Sequence, residues 1–139
     1  MRRPRKGKAM EPRDANLDSL WNQLWELEHR FQQGHALELT DELLDLLRRA
    51  APTVDIREHE VVAAFSRVES TTDLLRNIRA RIRDGSRRLG NALHRMYRLQ
   101  EKGDLDGARQ QMRDVLAVEV VPLYRKIAQG ELEKMNERA

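Results

Sequence analysis

Three arrangements of reactive residues in this 139-residue chain could do chemistry, and each lacks a part that the chemistry needs. Glu26-x-x-His29 has the spacing that puts a carboxylate and an imidazole on one helical face, as in the metal sites of helical bundles. Such a site needs a second pair, but the residues three before His35, His59 and His94 are Gln32, Ile56 and Asn91. Hydroxyl nucleophiles would be Ser66, Ser70, Thr71, Thr72 or Ser86, all inside a helical pattern where a hydroxyl bonds back to the preceding turn rather than standing exposed on a sharp loop. The glycines stand singly, so no loop of the phosphate-cradling kind is present. Catalytic, cofactor-binding and metal residues are therefore all read as none, and the chain as a non-enzyme.

Charge is the more unusual feature. Arg76–Lys102 holds nine basic residues against Asp84 and Glu101, whereas 14–60 holds eleven acids against four bases, giving +7 and −7. At 100° per residue from Leu75, the arginines Arg76, Arg81, Arg83, Arg87, Arg88, Arg95 and Arg98 all fall away from the apolar stripe, and together they form a candidate interaction face. The leading use for that face is pairing with the acidic N-terminal half, within the chain or across a homodimer. The alternative is nucleic acid, in concert with a basic N-terminal tail, although no DNA-reading motif accompanies it and the few aromatics look buried. The tail, residues 1–13, has six basic residues and one acid; it accounts for more than the whole net charge of +3 and is expected to be disordered.

Glu119 is the one acid in the middle of an apolar stripe, about 20° from Met112 on the helical wheel, so it requires a buried partner. Folding the chain about Asp104 sets Glu119 opposite Leu89, near Gly85, Ser86 and Gly90. Ser86, Arg87, Arg88 or the indole of Trp21 or Trp25 would supply the donor. Glu119 and Ser86 are accordingly read as buried polar residues.

The elements that position these groups are helical throughout. Only 4% of residues are aromatic, 35% are charged and glycine and proline are few, a composition that points to an all-α fold. A first helix should start near Asp14 or Asn16, carry Leu17, Leu20, Leu24, Leu27 and Phe31 inward with Trp21 and Trp25 as core, and end at Gly34. Leu37 and Leu39 tuck inward from a connector. Thr40 caps a second, short helix that must stop before Pro52. From Asp55 an apolar phase runs from Val61 to Met96, which predicts one long helix bent at Gly85-Ser86. Lys102–Ala108 is a helix-helix corner, with Gly103 left-handed and Asp104 or Asp106 as cap. Beyond it Leu105, Ala108, Met112, Val115 and Leu116 form a stripe, Leu116–Val121 looks buried from two sides, and Pro122 should kink the helix or begin a new one. The expectation is an antiparallel bundle of about four helices, one domain over 14–139, built on a long helical hairpin.

No cysteine is present and no apolar run reaches the length of a membrane span, so a cytoplasmic location without membrane contact is expected. Gly85-Ser86, Leu89, Ala92-Leu93, Met96-Tyr97, Gly103-Asp104-Leu105, the run Gly107-Ala108-Arg109-Gln110-Gln111-Met112, Leu116–Pro122 and Tyr124-Arg125, in that order, resemble the DUSAM domain, a myxobacterial family duplicated many times. That family has no assigned function, so the resemblance implies no catalytic residues or cofactors. It implies a small module copied into many paralogues, as interaction or regulatory modules often are. The expected function is a non-enzymatic helical interaction or regulatory module with an unknown protein partner.

Overall fold

The computed structural model describes residues 15–137; the basic tail expected over 1–13 lies outside them. Six α-helices and one 3-10 helix make up the described chain, with no strand among the described residues: α1 (Ala15–Gln32), α2 (Asp41–Ala50), the 3-10 helix (Ala51–Val54), α3 (Glu58–Ala64), α4 (Val68–Glu101), α5 (Leu105–Val118) and α6 (Pro122–Glu137). The fold is all-α, with six helices where about four were expected. No helix among the described residues is long and apolar enough to cross a membrane.

The hairpin of α4 against α5 and α6 is the spine. Gly103 takes φ of 80°, which favours glycine, and closes α4; Asp104 then opens α5 by accepting the Gly107 N–H at 2.9 Å. Leu75, Ile78, Ile82, Leu89, Ala92 and Met96 of α4 are buried with Ala108, Met112 and Val115 of α5 and Val121, Tyr124, Ala128 and Met135 around α6. On the other side of α4, Leu24, Leu47, Val54 and Val61 extend the same apolar cluster into the N-terminal layer. Thr40 caps α2 through Leu43 N–H at 3.1 Å, and Pro52 stands in the first turn of the 3-10 helix, where its missing N–H costs nothing.

Two boundaries differ from the sequence reading. The helix expected from Asp55 is two helices, with a break at 65–67, and α4 runs through Gly85-Ser86 uninterrupted. Asp55 is the left-handed stop of the 3-10 helix, at φ of 64°, and α3 begins only at Glu58 with Arg57 N–H donating to Glu60 Oε1 at 3.0 Å. At the break, the Ser70 and Thr71 hydroxyls donate to Ala64 O at 2.6 and 2.9 Å. They thereby satisfy a carbonyl that a continuous helix would have used. Ser66 consequently sits in a turn. The second difference is in the C-terminal arm, where α5 ends at Val118 and α6 starts at Pro122. Val118 and Val120 are exposed, so this stretch is not buried from two sides; only Glu119 and Val121 turn inward.

Met112 is wholly buried, but Leu116 is only half-buried, a correction with a measurable consequence. Leu116→Ala should cost about 1–2 kcal/mol, below the 2–5 of a full core truncation, because part of its side chain already meets water. Chemical denaturation of the variant would read this directly, and a loss above about 3 kcal/mol would show that Leu116 packs like core.

Candidate interaction surfaces

The seven arginines of the proposed face turn toward different neighbours, and five of them, Arg76, Arg83, Arg87, Arg95 and Arg98, are exposed. Seen down α4 they divide into two flanks, each turned toward a different neighbour. On one flank, the Arg76 guanidinium lies 5.0 Å from the centre of the Phe31 ring and Arg83 is 4.0 Å from Glu28, both on α1. On the other, Arg81 donates to the carbonyls of Val54 and Asp55 at 2.8 and 3.1 Å and so ties the end of the 3-10 helix to α4. Arg88 reaches Glu119 at 2.6 Å, and Arg95 donates to Gln111 of α5 at 2.7 Å. Arg87 meets only Asp84, 3.6 Å away on its own helix, and Arg98 is exposed. Arg79, which the sequence reading passed over, is well enclosed: its Nε donates to Glu28 at 3.0 Å with both side chains largely covered. Its angle, close to the apolar stripe, was the signal.

Glu119 is 3% exposed, and its carboxylate is fully engaged. Oε1 accepts from Arg88, while Oε2 accepts the N–H groups of Val120 and Val121 at 3.1 and 2.9 Å. Arg125 donates to the carbonyls of Leu116 and Glu119 at 2.7 and 2.9 Å. The break between α5 and α6 is therefore closed by one acid and one base, which take up backbone groups that Pro122 prevents the helix from pairing. Ser86 is not part of this arrangement: it is exposed, a correction to its reading as buried polar, because Gly85 rather than Ser86 faces Glu119 and Tyr124. Nor do the tryptophans serve Glu119. Trp21 donates its indole N–H to Thr53 at 3.0 Å and packs against Tyr124.

Gly85 and Glu119 are a matched pair. A Cβ built on Gly85 would lie 2.7 Å from both Glu119 Oε2 and the Tyr124 ring. Neither can retreat cheaply, since the carboxylate is held by three donors and the ring is buried. Gly85→Ala should therefore destabilise by about 1–3 kcal/mol from overpacking, partly offset by about 1 kcal/mol of helix propensity. Gly90, one turn and a residue later with nothing within 4 Å of its built Cβ, provides the contrast. Gly90→Ala should stabilise by about 0.5–1 kcal/mol, so thermal melts of the two variants should shift in opposite directions. A Gly85→Ala variant at least as stable as the parent would contradict the close approach.

The second surface is a groove of ≈ 940 Å³ between the C-terminal half of α1, the connector after it and α2. Trp25 stands in it 51% exposed, stacked on His29 with ring centres 4.9 Å apart. This corrects the reading of Trp25 as core; Leu39, expected to tuck inward, is also exposed. Glu26, Glu38 and Glu42 line the groove, and none of them has a salt bridge among the described residues. Glu26 and His29 share it, yet no cluster of three or more metal-ligating side chains occurs among the described residues. The hydroxyls of Ser66, Ser70, Thr71 and Thr72 all donate to backbone carbonyls. Tyr97 is a half-exposed phenol; partial burial first, and Glu131 second, push its pKa above the usual 10.0 against an opposing pull from Lys134, which keeps it neutral at ordinary pH.

A family model described as "Protein of unknown function (DUF2379)" matches residues 19–135, nearly all of the helical spine and most of the N-terminal layer. No curated protein and no solved structure matches the chain.

Proposed function

The chain belongs to the DUF2379 family, whose description assigns no activity, and from the geometry we propose that it is a non-enzymatic helical interaction module that takes a basic, apolar-anchored protein segment in the groove between α1 and α2. The half-exposed indole of Trp25 carries this reading. An indole left in water inside a concavity is a typical anchor for a partner, and three unpaired acids around it give that partner its sign. Two of the arginines lend support from the opposite direction, since Arg81 and Arg88 are spent on the 3-10 helix and the α5–α6 break rather than offered outward. The DUSAM resemblance fits the same proposal, because modules copied into many paralogues commonly serve recognition. A cytoplasmic location, supported by the absence of cysteine, belongs to this reading, as does self-association if a second copy supplies the segment.

Nucleic acid is the competing reading, favoured by the exposure of Arg76, Arg83, Arg87, Arg95 and Arg98 together with the basic residues before Arg13. Affinity capture with and without nuclease separates the two. A partner that survives nuclease treatment with the parent and is lost with Trp25→Ser is the expected result. Capture that vanishes with nuclease, or that Trp25→Ser leaves unchanged, would overturn the groove as the interaction site. Weak binding of duplex DNA and single-stranded RNA at low salt, above about 100 μM, is expected as well.

A further inference from the structure

Apart from Tyr97, the large apolar side chains left in water gather at three places. Trp25 and Leu39 stand on α1 and the connector that wall the groove, Val62 and Val68 flank the break at 65–67, and Val118 and Val120 belong to the break between α5 and α6. Charge separates the three. Val68 lies between Arg67 and Glu69, one charge of each sign. Around the α5–α6 break stand Arg81, Arg88, Arg125 and Lys126 against Asp55 and Glu119, which leaves that surface at +2. Arg81 and Arg125 donate only to backbone carbonyls, and Lys126 has no salt bridge among the described residues. The groove carries Glu26, Glu38 and Glu42 against Arg30, which with neutral histidines leaves it at −2.

We propose that the α5–α6 break of one copy of this chain docks in the α1–α2 groove of a second copy, with Val118 and Val120 against the Trp25 indole and with Arg125 and Lys126 facing Glu26, Glu38 and Glu42. This rests on the groove being the docking site and names its occupant. The two surfaces share no lining residue, and both are fixed on one packed core, so a folded chain cannot fill its own groove with its own break. The occupant is preformed. Glu119 accepts the Val120 and Val121 N–H groups and Arg125 donates to the Leu116 and Glu119 carbonyls, which fixes the backbone that presents the two valines. Valine is also stiff about χ1, so docking orders little that was free. The charges on both sides are exposed and screened by salt, with a range of about 10 Å at 0.1 M ionic strength, which makes the contact reversible. Because it joins unlike patches, it repeats along an open chain of copies unless a two-fold axis lets each copy fill the other's groove.

Sedimentation velocity of the nuclease-treated full chain at low salt, over about a hundredfold range of concentration, reads the contact. The parent mass should rise above the monomer as concentration increases. Two variants, both on exposed side chains, remove one surface each: Trp25→Ser/Glu38→Gln/Glu42→Gln takes away the groove, and Val118→Ser/Lys126→Glu takes away the break. Each alone should associate at least about tenfold more weakly than the parent. Mixed in equal amounts they should recover a one-to-one complex, since one keeps its break and the other its groove. Thermal melts check that both fold, and Lys126→Glu alone replaces the break variant if it does not. A parent that stays monomeric would overturn the proposal. So would a break variant that associates like the parent, which makes the occupant another segment, or a mixture no more associated than either variant alone. None of these failures affects whether capture of a partner depends on Trp25, so a groove that takes some other basic segment stands or falls separately.

Discussion

Glu119→Leu is expected to cost on the order of 3 kcal/mol, the lower end of what breaking a buried ion pair removes. The estimate starts from the backbone. Val120 and Val121 donate their N–H groups to Glu119 Oε2, and Pro122 leaves no helical carbonyl in position to replace it. A leucine would leave the buried Val121 N–H without an acceptor, at about 1–3 kcal/mol. The ion pair adds less than its 2.6 Å separation suggests, because the Arg88 side chain is 37% exposed and can turn its guanidinium to water once the acid is gone. Removing the base is different: in Arg88→Met the carboxylate, whose side chain is fully enclosed, has no such escape and keeps only its two backbone donors. Glu119→Gln retains one oxygen for the amides but presents an amide N–H₂ to the arginine, so its loss should be about 1–2 kcal/mol, between the parent and Leu. Urea denaturation of the three variants measures the order. Equal stability of parent and Glu119→Leu would mean that the break between α5 and α6 holds without the acid.

The need for a partner at Glu119 was legible because an acid in an apolar stripe has few physical solutions, and the fold about Asp104 brought the right part of α4 to it. What the stripe hid was that Glu119 is not in a helix at all. A wheel assumes unbroken 100° steps, whereas Pro122 ends α5 early and puts Glu119 into an extended conformation, with φ of −72° and ψ of 134°. The carboxylate was therefore free to bond its own following amides, a solution that helical geometry excludes. The break at 65–67 was hidden for a related reason. It contains neither glycine nor proline, and Val61, Phe65 and Val68 keep a helical spacing across it. The signal was the Ser70-Thr71 pair, whose hydroxyls hold the loose carbonyls of α3, but hydroxyls of this kind also occur in helix interiors. The arginine face is divided among neighbours because angle on a wheel says only what points away from the core of one helix. It does not say whether a second layer lies there, and α1, the 3-10 helix and α5 each cover part of that arc. Trp25 was misplaced by its chemistry: indole is usually buried, but here the wide end of the α1 stripe runs past the edge of α2 into the open groove.

Glu28→Ala should cause the largest loss of any charge substitution on the molecule, about 3–5 kcal/mol, because it strands a cation that cannot leave. Arg79 and Glu28 are the only ion pair among the described residues in which both side chains are only 12% exposed, and they join α1 to α4 across 51 residues of chain. Arg83, one turn further along α4, stands 4.0 Å from the other carboxylate oxygen. It is nearly half-exposed, so its share is screened and small. The acid therefore bridges two rungs of the long helix, but only one rung is dry. Removing Glu28 leaves Arg79 desolvated and unpaired beside Ile78 and Ile82, whereas Arg83→Ala should cost less than about 1 kcal/mol. Glu28→Gln keeps an acceptor for the Arg79 Nε–H and should recover part of the loss. A double variant, Glu28→Met with Arg79→Met, removes both charges at similar volume; buried pairs exchanged this way are often neutral or more stable by about 1–4 kcal/mol. The decisive measurement is a denaturation cycle over the parent, the two single variants and the double. A double variant more stable than either single one is expected. Stabilities that simply add, with Glu28→Met within about 0.5 kcal/mol of the parent, would mean that Arg79 finds water and that apolar packing alone joins α1 to α4.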